Sequence, residues 1–147
     1  MKKQSLIVLL VAAVAVAFLF SAGYAADPAD TMTLNSKVYD KHTKAQVVFS
    51  HKKHSADYKV ACANCHHVLK DGKNTWKEGD PVQKCEACHS EAKPPAGKDA
   101  PEMTKEQKIA KYHYTAIHEN CVGCHKAEKA KGKNAPAACK DCHPGKE

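Results

Sequence analysis

Hydrophobic residues are concentrated at the N-terminus of the chain and are sparse elsewhere. Residues 6–20 form one apolar run of 15 residues, preceded by Lys2 and Lys3 and followed by small residues around Ala25. This pattern predicts a signal peptide, residues 1–25, cleaved after Ala25. An uncleaved membrane anchor is the alternative, but a bilayer span needs about 20 apolar residues. We therefore expect an exported, periplasmic protein with no transmembrane segment in the mature chain.

The remaining residues, 26–147, carry only short amphipathic stretches. The stretches 31–34 and 46–49, on either side of a turn rich in Lys, Asp and His, predict a short β-hairpin. Thr104 with Gln107 three residues later resembles a capping box, and the apolar positions that follow predict one helix running to about residue 118. Residues 71–74 and 93–97, rich in turn formers, are predicted to be loops.

The mature chain is too poor in large apolar residues to build its own core. Beyond residue 25 it holds seven valines, two leucines, two isoleucines and one phenylalanine, twelve residues in 122. Charged chains with fewer than about 20% such residues do not usually repay the entropy lost on folding. Something other than the polypeptide must therefore supply the core, or the chain is disordered.

The net charge is positive, but the type of basic side chain does not favour binding to nucleic acid. Removal of residues 1–25 takes away two lysines and no acid, so the formal charge falls from +7 to +5. All basic side chains are lysine, whereas bidentate recognition of phosphates and bases favours arginine. Together with export, this predicts no nucleic-acid partner.

The eight cysteines fall into four Cys-x-x-Cys pairs, each followed at once by histidine. This is the attachment signature of c-type haem, in which two thiols join the haem edge and the histidine reaches the iron. Disulfides or zinc knuckles would use the cysteines but give no reason for the four histidines. The motifs are Cys62, Cys65 and His66; Cys85, Cys88 and His89; Cys121, Cys124 and His125; Cys139, Cys142 and His143.

The number of histidines limits how the irons can be ligated. Four haems need eight axial ligands, and the mature chain has ten histidines but only two methionines, Met32 and Met103. Histidine on both sides of every iron is therefore possible, whereas Met/His ligation throughout is not. Such centres have low potential and no open position for a substrate, which leaves electron transfer as the expected activity.

Six histidines compete for the four distal positions. His51 and His54 lie three residues apart and could face different haems, and His67, next to His66, could serve a neighbouring haem. His42 lies in a charged turn and is expected to be a solvated surface residue. Between His113 and His118, the helical periodicity favours His113, but His118 lies only three residues before Cys121.

These motifs together resemble the class III cytochromes c, the tetrahaem cytochromes c(3) of sulfate-reducing and related anaerobic bacteria. The resemblance rests on Phe49-Ser50-His51-Lys52-Lys53-His54, on the doubled His66-His67, and on the Tyr/His-rich helix before Cys121. It implies axial pairs of His51 with His66, His67 with His89, His54 with His125, and His118 with His143. It thereby favours His118 over His113.

The resemblance also implies the fold. We expect one tetrahaem domain, residues 26–147, mainly α with much irregular coil, a short N-terminal β-hairpin and four haems as the core. Many members have four residues between the cysteines of the second and fourth motifs, whereas all four motifs here have two. This departure suggests a divergent subtype.

The function implied is electron transport without catalysis. The expected donor is a periplasmic hydrogenase or formate dehydrogenase, and the expected acceptor is a membrane-bound redox complex, in anaerobic respiration. The lysines around the fourth motif could form a docking patch for an acidic partner. A terminal reductase of metal ions or sulfur, and a bound subunit of a membrane complex, are the alternatives. The patch comprises Lys126, Lys129, Lys131, Lys133, Lys140 and Lys146.

Overall fold

The structure is a computed structural model and describes residues 28–145. The predicted signal peptide, residues 1–25, lies outside the described residues. Within the described part, no helix is both long enough and apolar enough to cross a membrane.

The N-terminal hairpin predicted from sequence is present. Strand β1 (Met32–Leu34) pairs antiparallel with β2 (Val47–Phe49), with Met32 opposite Phe49. The central residue of each strand faces solvent and the outer ones are half-buried, as the alternation of side chains in a strand requires. Phe49 leads directly into the helical turn that carries His51 and His54.

A second, very short hairpin replaces the loop predicted at residues 71–74. Strand β3 (Leu69–Lys70) pairs with β4 (Lys73–Asn74) across the two-residue turn Asp71-Gly72. Both turn residues have positive φ, 51° and 75°, as a type I′ turn requires. The loop prediction is wrong because the Asp-Gly dipeptide favours the two positive φ angles of a hairpin turn and is thus a specific hairpin signal. Residues 93–97 form no regular structure, as predicted.

In the described part of the chain, the α-helices lie in the second half and are short. The capping box predicted at Thr104 and Gln107 is confirmed, with each side chain bonded to the other residue's backbone N–H. A π-helical turn, Glu119–Gly123, joins the helix that ends at His118 to the helix that begins at Cys124, so the two form one continuous helical segment. The four α-helices of residues 28–145 are α1 (Lys105–Lys111), α2 (His113–His118), α3 (Cys124–Ala130) and α4 (Cys139–Cys142).

The predicted single helix over 104–118 is broken at Tyr112. Its backbone is extended, with φ −104° and ψ 122°. The break is stabilised by Glu91, which lies close to the second motif. The N–H of His113 donates to the carbonyl oxygen of Glu91 (2.7 Å), and the N–H of Glu91 donates to the carbonyl oxygen of Lys111 (3.3 Å). The helical phase therefore starts again at His113, so periodicity counted from Ile109 does not apply to α2.

The polypeptide has almost no core of its own. Tyr112 and Ala116, at 4% and 8% exposure, are the only buried hydrophobic side chains among the described residues, and none there is fully buried. Val48 and Leu69 are about two-thirds exposed, at 68% and 67%. Short helices, much irregular coil and a short strand pair near the N-terminus agree with the predicted fold class.

Candidate haem-binding sites

Each Cys-x-x-Cys-His motif forms one helical turn. The N–H of the histidine donates to the carbonyl of the first cysteine in three motifs: His66 to Cys62 (2.8 Å), His89 to Cys85 (3.0 Å) and His143 to Cys139 (2.8 Å). The third motif lies within the continuous helix, across the π-helical turn and the start of α3. Residues three and four apart on a helical turn lie on the same side. Both thiols and the imidazole of a motif can therefore bond to the same haem.

The histidine of every motif faces one other histidine from a distant part of the chain. The ring centres are 5.9–6.3 Å apart in all four cases. The pairs are His51 with His66 (6.3 Å), His67 with His89 (5.9 Å), His54 with His125 (6.1 Å) and His118 with His143 (6.3 Å). These are the pairs that the resemblance implies.

The spacing within each pair fits a haem iron. An imidazole nitrogen lies about 1 Å from its ring centre and bonds a transition metal at about 2 Å, so two imidazoles on opposite sides of one iron have ring centres about 6 Å apart. Within residues 28–145, no group of three or more His, Cys, Asp or Glu side chains could hold a bare metal ion. Two imidazoles are what a six-coordinate haem iron, already bonded to four ring nitrogens, can take from the protein.

In two pairs, backbone hydrogen bonds fix both imidazoles. The Nδ1 atoms of His54 and His118 lie 2.8 and 2.7 Å from the carbonyl oxygens four residues earlier, Ser50 and Tyr114. Those of His125 and His143 lie 2.6 Å from the carbonyls of Pro136 and Ala45. Because a carbonyl only accepts, Nδ1 carries the proton and Nε2 is left free to bind a metal.

The other two pairs are held differently, by packing. The ring of His66 lies 5.0 Å from that of Trp76, and burial, followed by the neighbouring His51 and His67, lowers its pKa. His89 is 8% exposed, and its Nδ1 is buried without a hydrogen-bond partner among the described atoms.

The structure brings His118, and not His113, to His143. His113 instead lies within hydrogen-bonding distance of the Tyr39 hydroxyl through Nδ1 (3.1 Å), with the two rings edge to face. Burial lowers the pKa of His113. Tyr39 also contacts His42 (ring centres 5.6 Å apart), and His42 faces none of the four motif histidines. The preference for His113 from periodicity fails because the helix breaks at Tyr112.

The cysteines of different motifs lie close together. All eight are within the described residues, and none forms a disulfide. Burial, and after it the nearby thiols of Cys65, Cys142 and Cys85, raise the pKa of the Cys121 thiol to about 11. Cys121 thus lies near cysteines of each of the other three motifs.

Two residues next to the first motif were not identified from sequence. Trp76 packs on His66, and Asn74 hydrogen-bonds to the motif backbone. Trp76 is the only tryptophan of a chain with few large apolar residues, so the sequence alone could have indicated that its ring packs against a haem-binding motif. Asn74 cannot be identified from the sequence, because its role depends on the hairpin that positions it.

The lysine-rich C-terminal segment is partly neutralised. Lys131 and Lys133 both pair with Glu128, at 2.7 and 2.5 Å, and these contacts lower the pKa of Glu128 to about 2. Lys126, Lys129 and Lys140 make no ion pair within residues 28–145. The positive surface described near the fourth motif is therefore smaller than the count of lysines suggests.

Comparison with known proteins identifies the family. A sequence model of the class III cytochrome c family matches residues 28–143. Cytochrome c3 of Maridesulfovibrio salexigens is 39% identical over 127 residues, covering 82% of this chain and 97% of that protein. Cytochrome c3 of Desulfovibrio desulfuricans is 35% identical over 119 residues, covering 80% and 95%. On these matches, the chain belongs to the class III cytochrome c family of multihaem electron-transfer proteins.

Proposed function

We propose that this protein is a low-potential tetrahaem electron carrier of the periplasm. The observation that carries the proposal is the spacing of the four histidine pairs, 5.9–6.3 Å between ring centres. Each pair combines a motif histidine with a distant histidine, so each iron would receive two imidazoles.

The chain's own residues would hold the haems as follows. The two thiols of each motif would hold one haem as thioethers, and the paired imidazoles would bind its iron through Nε2. Haem held in this way would supply reversible one-electron transfer at low potential. With two imidazoles for each iron, the chain would leave no site where a substrate could bind the metal.

Fast internal transfer is supported by the closeness of the attachment sites. Cys121 lies near Cys65, Cys85 and Cys142, one from each other motif. Thioethers formed at these thiols would bring the haem edges close together. Electrons accepted at one site could then distribute over all four.

The partners proposed are a periplasmic hydrogenase or formate dehydrogenase as donor and a membrane-bound redox complex as acceptor. Lys126, Lys129 and Lys140 give the surface near the fourth motif a positive charge that would steer an acidic partner. The periplasmic location rests on the predicted signal peptide, residues 1–25, and on c-type attachment, which we expect to follow export.

The decisive experiment is a haem count and a spectrum of the mature holoprotein. We expect four covalently bound haems, all six-coordinate and low-spin in both redox states. Fewer than four haems, or an absorption band typical of methionine ligation, would contradict the proposal.

Carbon monoxide separates a carrier from a reductase. A carrier with every iron doubly ligated should not bind it in the reduced state. A high-spin fraction that binds carbon monoxide would instead favour a terminal reductase of metal ions or sulfur. Mature protein that remains with the membrane fraction would favour a bound subunit of a membrane complex.

A further inference from the structure

The side chain of Asn74 connects the first haem-binding loop to the hairpin that follows it. Its Nδ2 group donates to the carbonyl oxygens of Ala63 (3.3 Å) and His66 (3.0 Å), both within the first motif. Its Oδ1 accepts from the backbone N–H groups of Val68 (3.1 Å) and Trp76 (3.0 Å). One side chain thus makes four hydrogen bonds to four backbone groups.

Only an amide of this length meets these requirements. Two donors and a doubly accepting oxygen on one short side chain are found in asparagine, whereas aspartate has the oxygen acceptors but no donor. The turn Asp71-Gly72 sets the position of Asn74 by pairing it with Leu69 across the hairpin. Thr75 closes the same segment, donating to the Val68 carbonyl through N–H (2.8 Å) and Oγ1 (3.0 Å).

Trp76 extends this connection to the His66 ring. The ring planes are tilted by 34° with centres 5.0 Å apart. Trp76 is partly buried, and its Nε1 is buried without a hydrogen-bond partner in the described part of the chain. No backbone carbonyl among the described residues accepts from the His66 ring, in contrast to His125 and His143. Packing by Trp76 therefore takes the place of that hydrogen bond.

We propose that residues 68–76 form a clamp in which Asn74 and Trp76 are positioning residues that orient His66 and set the potential of the first haem. The inference rests on the proposed function, because it assumes that His66 binds iron.

The direction of the effect follows from charge. Oxidised iron carries one more positive charge than reduced iron, and water favours the more charged state. Trp76 keeps water from one side of His66, so removing its ring should stabilise the oxidised state of the first haem. Loss of the clamp should therefore lower the potential of that haem.

The test compares Trp76→Leu, Trp76→Phe and Asn74→Asp holoproteins with Lys73→Ala as a matched control. Lys73 is an exposed residue beside Asn74 in the same strand. Individual haem potentials are followed by NMR through the haem methyl resonances. For Trp76→Leu we expect the equilibrium for reduction of the first haem to fall about two- to tenfold. Trp76→Phe should have a smaller effect because part of the ring remains.

Asn74→Asp should move the methyl resonances of the first haem while leaving the other three in place. Lys73→Ala should move none of them. Unchanged first-haem signals in both Trp76→Leu and Asn74→Asp, or equal shifts at all four haems, would overturn the inference. The signals of the other three haems and the haem count report whether each variant is folded.

Failure of the inference differs from failure of the proposed function. If the unmodified protein lacks four low-spin haems, the proposed function is wrong. If it has them but the variants leave the first haem unaffected, only the clamp is wrong.

Discussion

The second nitrogen of an imidazole controls how strongly the first can bind a metal. In the pairs His54 with His125 and His118 with His143, every Nδ1 lies 2.6–2.8 Å from a backbone carbonyl. No such bond holds the rings of the pairs His51 with His66 and His67 with His89 among the described residues. A hydrogen bond from Nδ1–H makes the imidazole a stronger donor to the metal.

This difference predicts an order of potentials. Stronger donation stabilises oxidised iron, so the third and fourth haems, at His125 and His143, should have lower potentials than the first and second. A redox titration resolved by NMR for each haem measures this order. Interleaved or reversed potentials would show that another influence, such as solvent exposure, dominates.

Substitution of the two histidines of α2, His113 and His118, tests which of them pairs with His143. His118 faces His143 at 6.3 Å, whereas His113 contacts Tyr39. His118→Ala should leave one iron without its second imidazole, producing one high-spin haem that binds carbon monoxide. His113→Ala is the matched control and should retain four low-spin haems. High-spin haem in His113→Ala alone would reverse the assignment.

At the scale of elements, short helices are fixed by contacts made outside them. The break between α1 and α2 depends on the bonds of Glu91 with His113 and Lys111. Helix α3 ends at a loop in which Gly132 has φ 83°, and backbone N–H groups of Lys131 and Lys133 donate to the Glu128 carbonyl (both 3.1 Å). The Glu128 side chain then joins the same two lysines. The C-terminal end of α3 is thus stabilised both by backbone hydrogen bonds and by ion pairs.

The Glu128 contacts predict a specific pH dependence. Hydrogen bonds from Lys131 and then Lys133 lower its pKa from the ordinary 4.5 to about 2. A depressed carboxyl pKa stabilises the folded state above the unfolded value and loses that effect as pH falls through the folded value. The contacts should therefore persist to about pH 2, as measured by carbon NMR of the carboxyl group.

Removing the lysines supplies the control for this prediction. A Lys131→Met, Lys133→Met double variant should return the Glu128 pKa towards 4.5, whereas Lys126→Met should leave it unchanged. A carboxyl group that titrates near 4.5 in the unmodified protein would contradict the prediction. Surface ion pairs contribute little to unfolding free energy, so no large change in Tm is expected.

At the scale of the whole molecule, the haem-binding loops depend on distant parts of the chain. His143 reaches the carbonyl of Ala45, and the backbone N–H of Lys37 donates to Glu86 of the second motif (3.1 Å). These contacts join the N-terminal segment to the last and second motifs. Yet only Tyr112 and Ala116 are buried hydrophobic residues in the part of the chain described. Contacts of this kind can position the motifs, but they cannot replace a core.

The haems should therefore be required for folding. The mature chain produced without haem attachment is expected to lack a cooperative thermal transition by circular dichroism, because its twelve large apolar residues cannot repay the ordering entropy. The holoprotein serves as the control and should unfold cooperatively. Cooperative unfolding of the haem-free chain would show that the polypeptide core is sufficient.

Much of the local structure could be predicted because it depends on neighbouring residues. The first hairpin follows from two short stretches of strand-forming residues on either side of a polar turn, and the cap of α1 follows from Thr104 and Gln107. The Asp71-Gly72 hairpin also has a local signal, because an Asp-Gly dipeptide favours the positive φ angles of its turn. The haem motifs are visible because cysteine and histidine lie within five residues of one another.

The amino-acid sequence alone establishes the candidate chemistry of this protein: four motifs, enough histidines for two per iron, and too few large apolar residues for a core without a cofactor. Which of these groups meet in space depends on the fold. The extended Tyr112 resets the helix and brings His118, rather than His113, to His143, and the hairpin brings Asn74 and Trp76 to the first motif. Composition and spacing show the local chemistry, whereas the break at Tyr112 depends on hydrogen bonds to Glu91 in another segment, and the Asn74 contacts depend on the geometry of a hairpin turn.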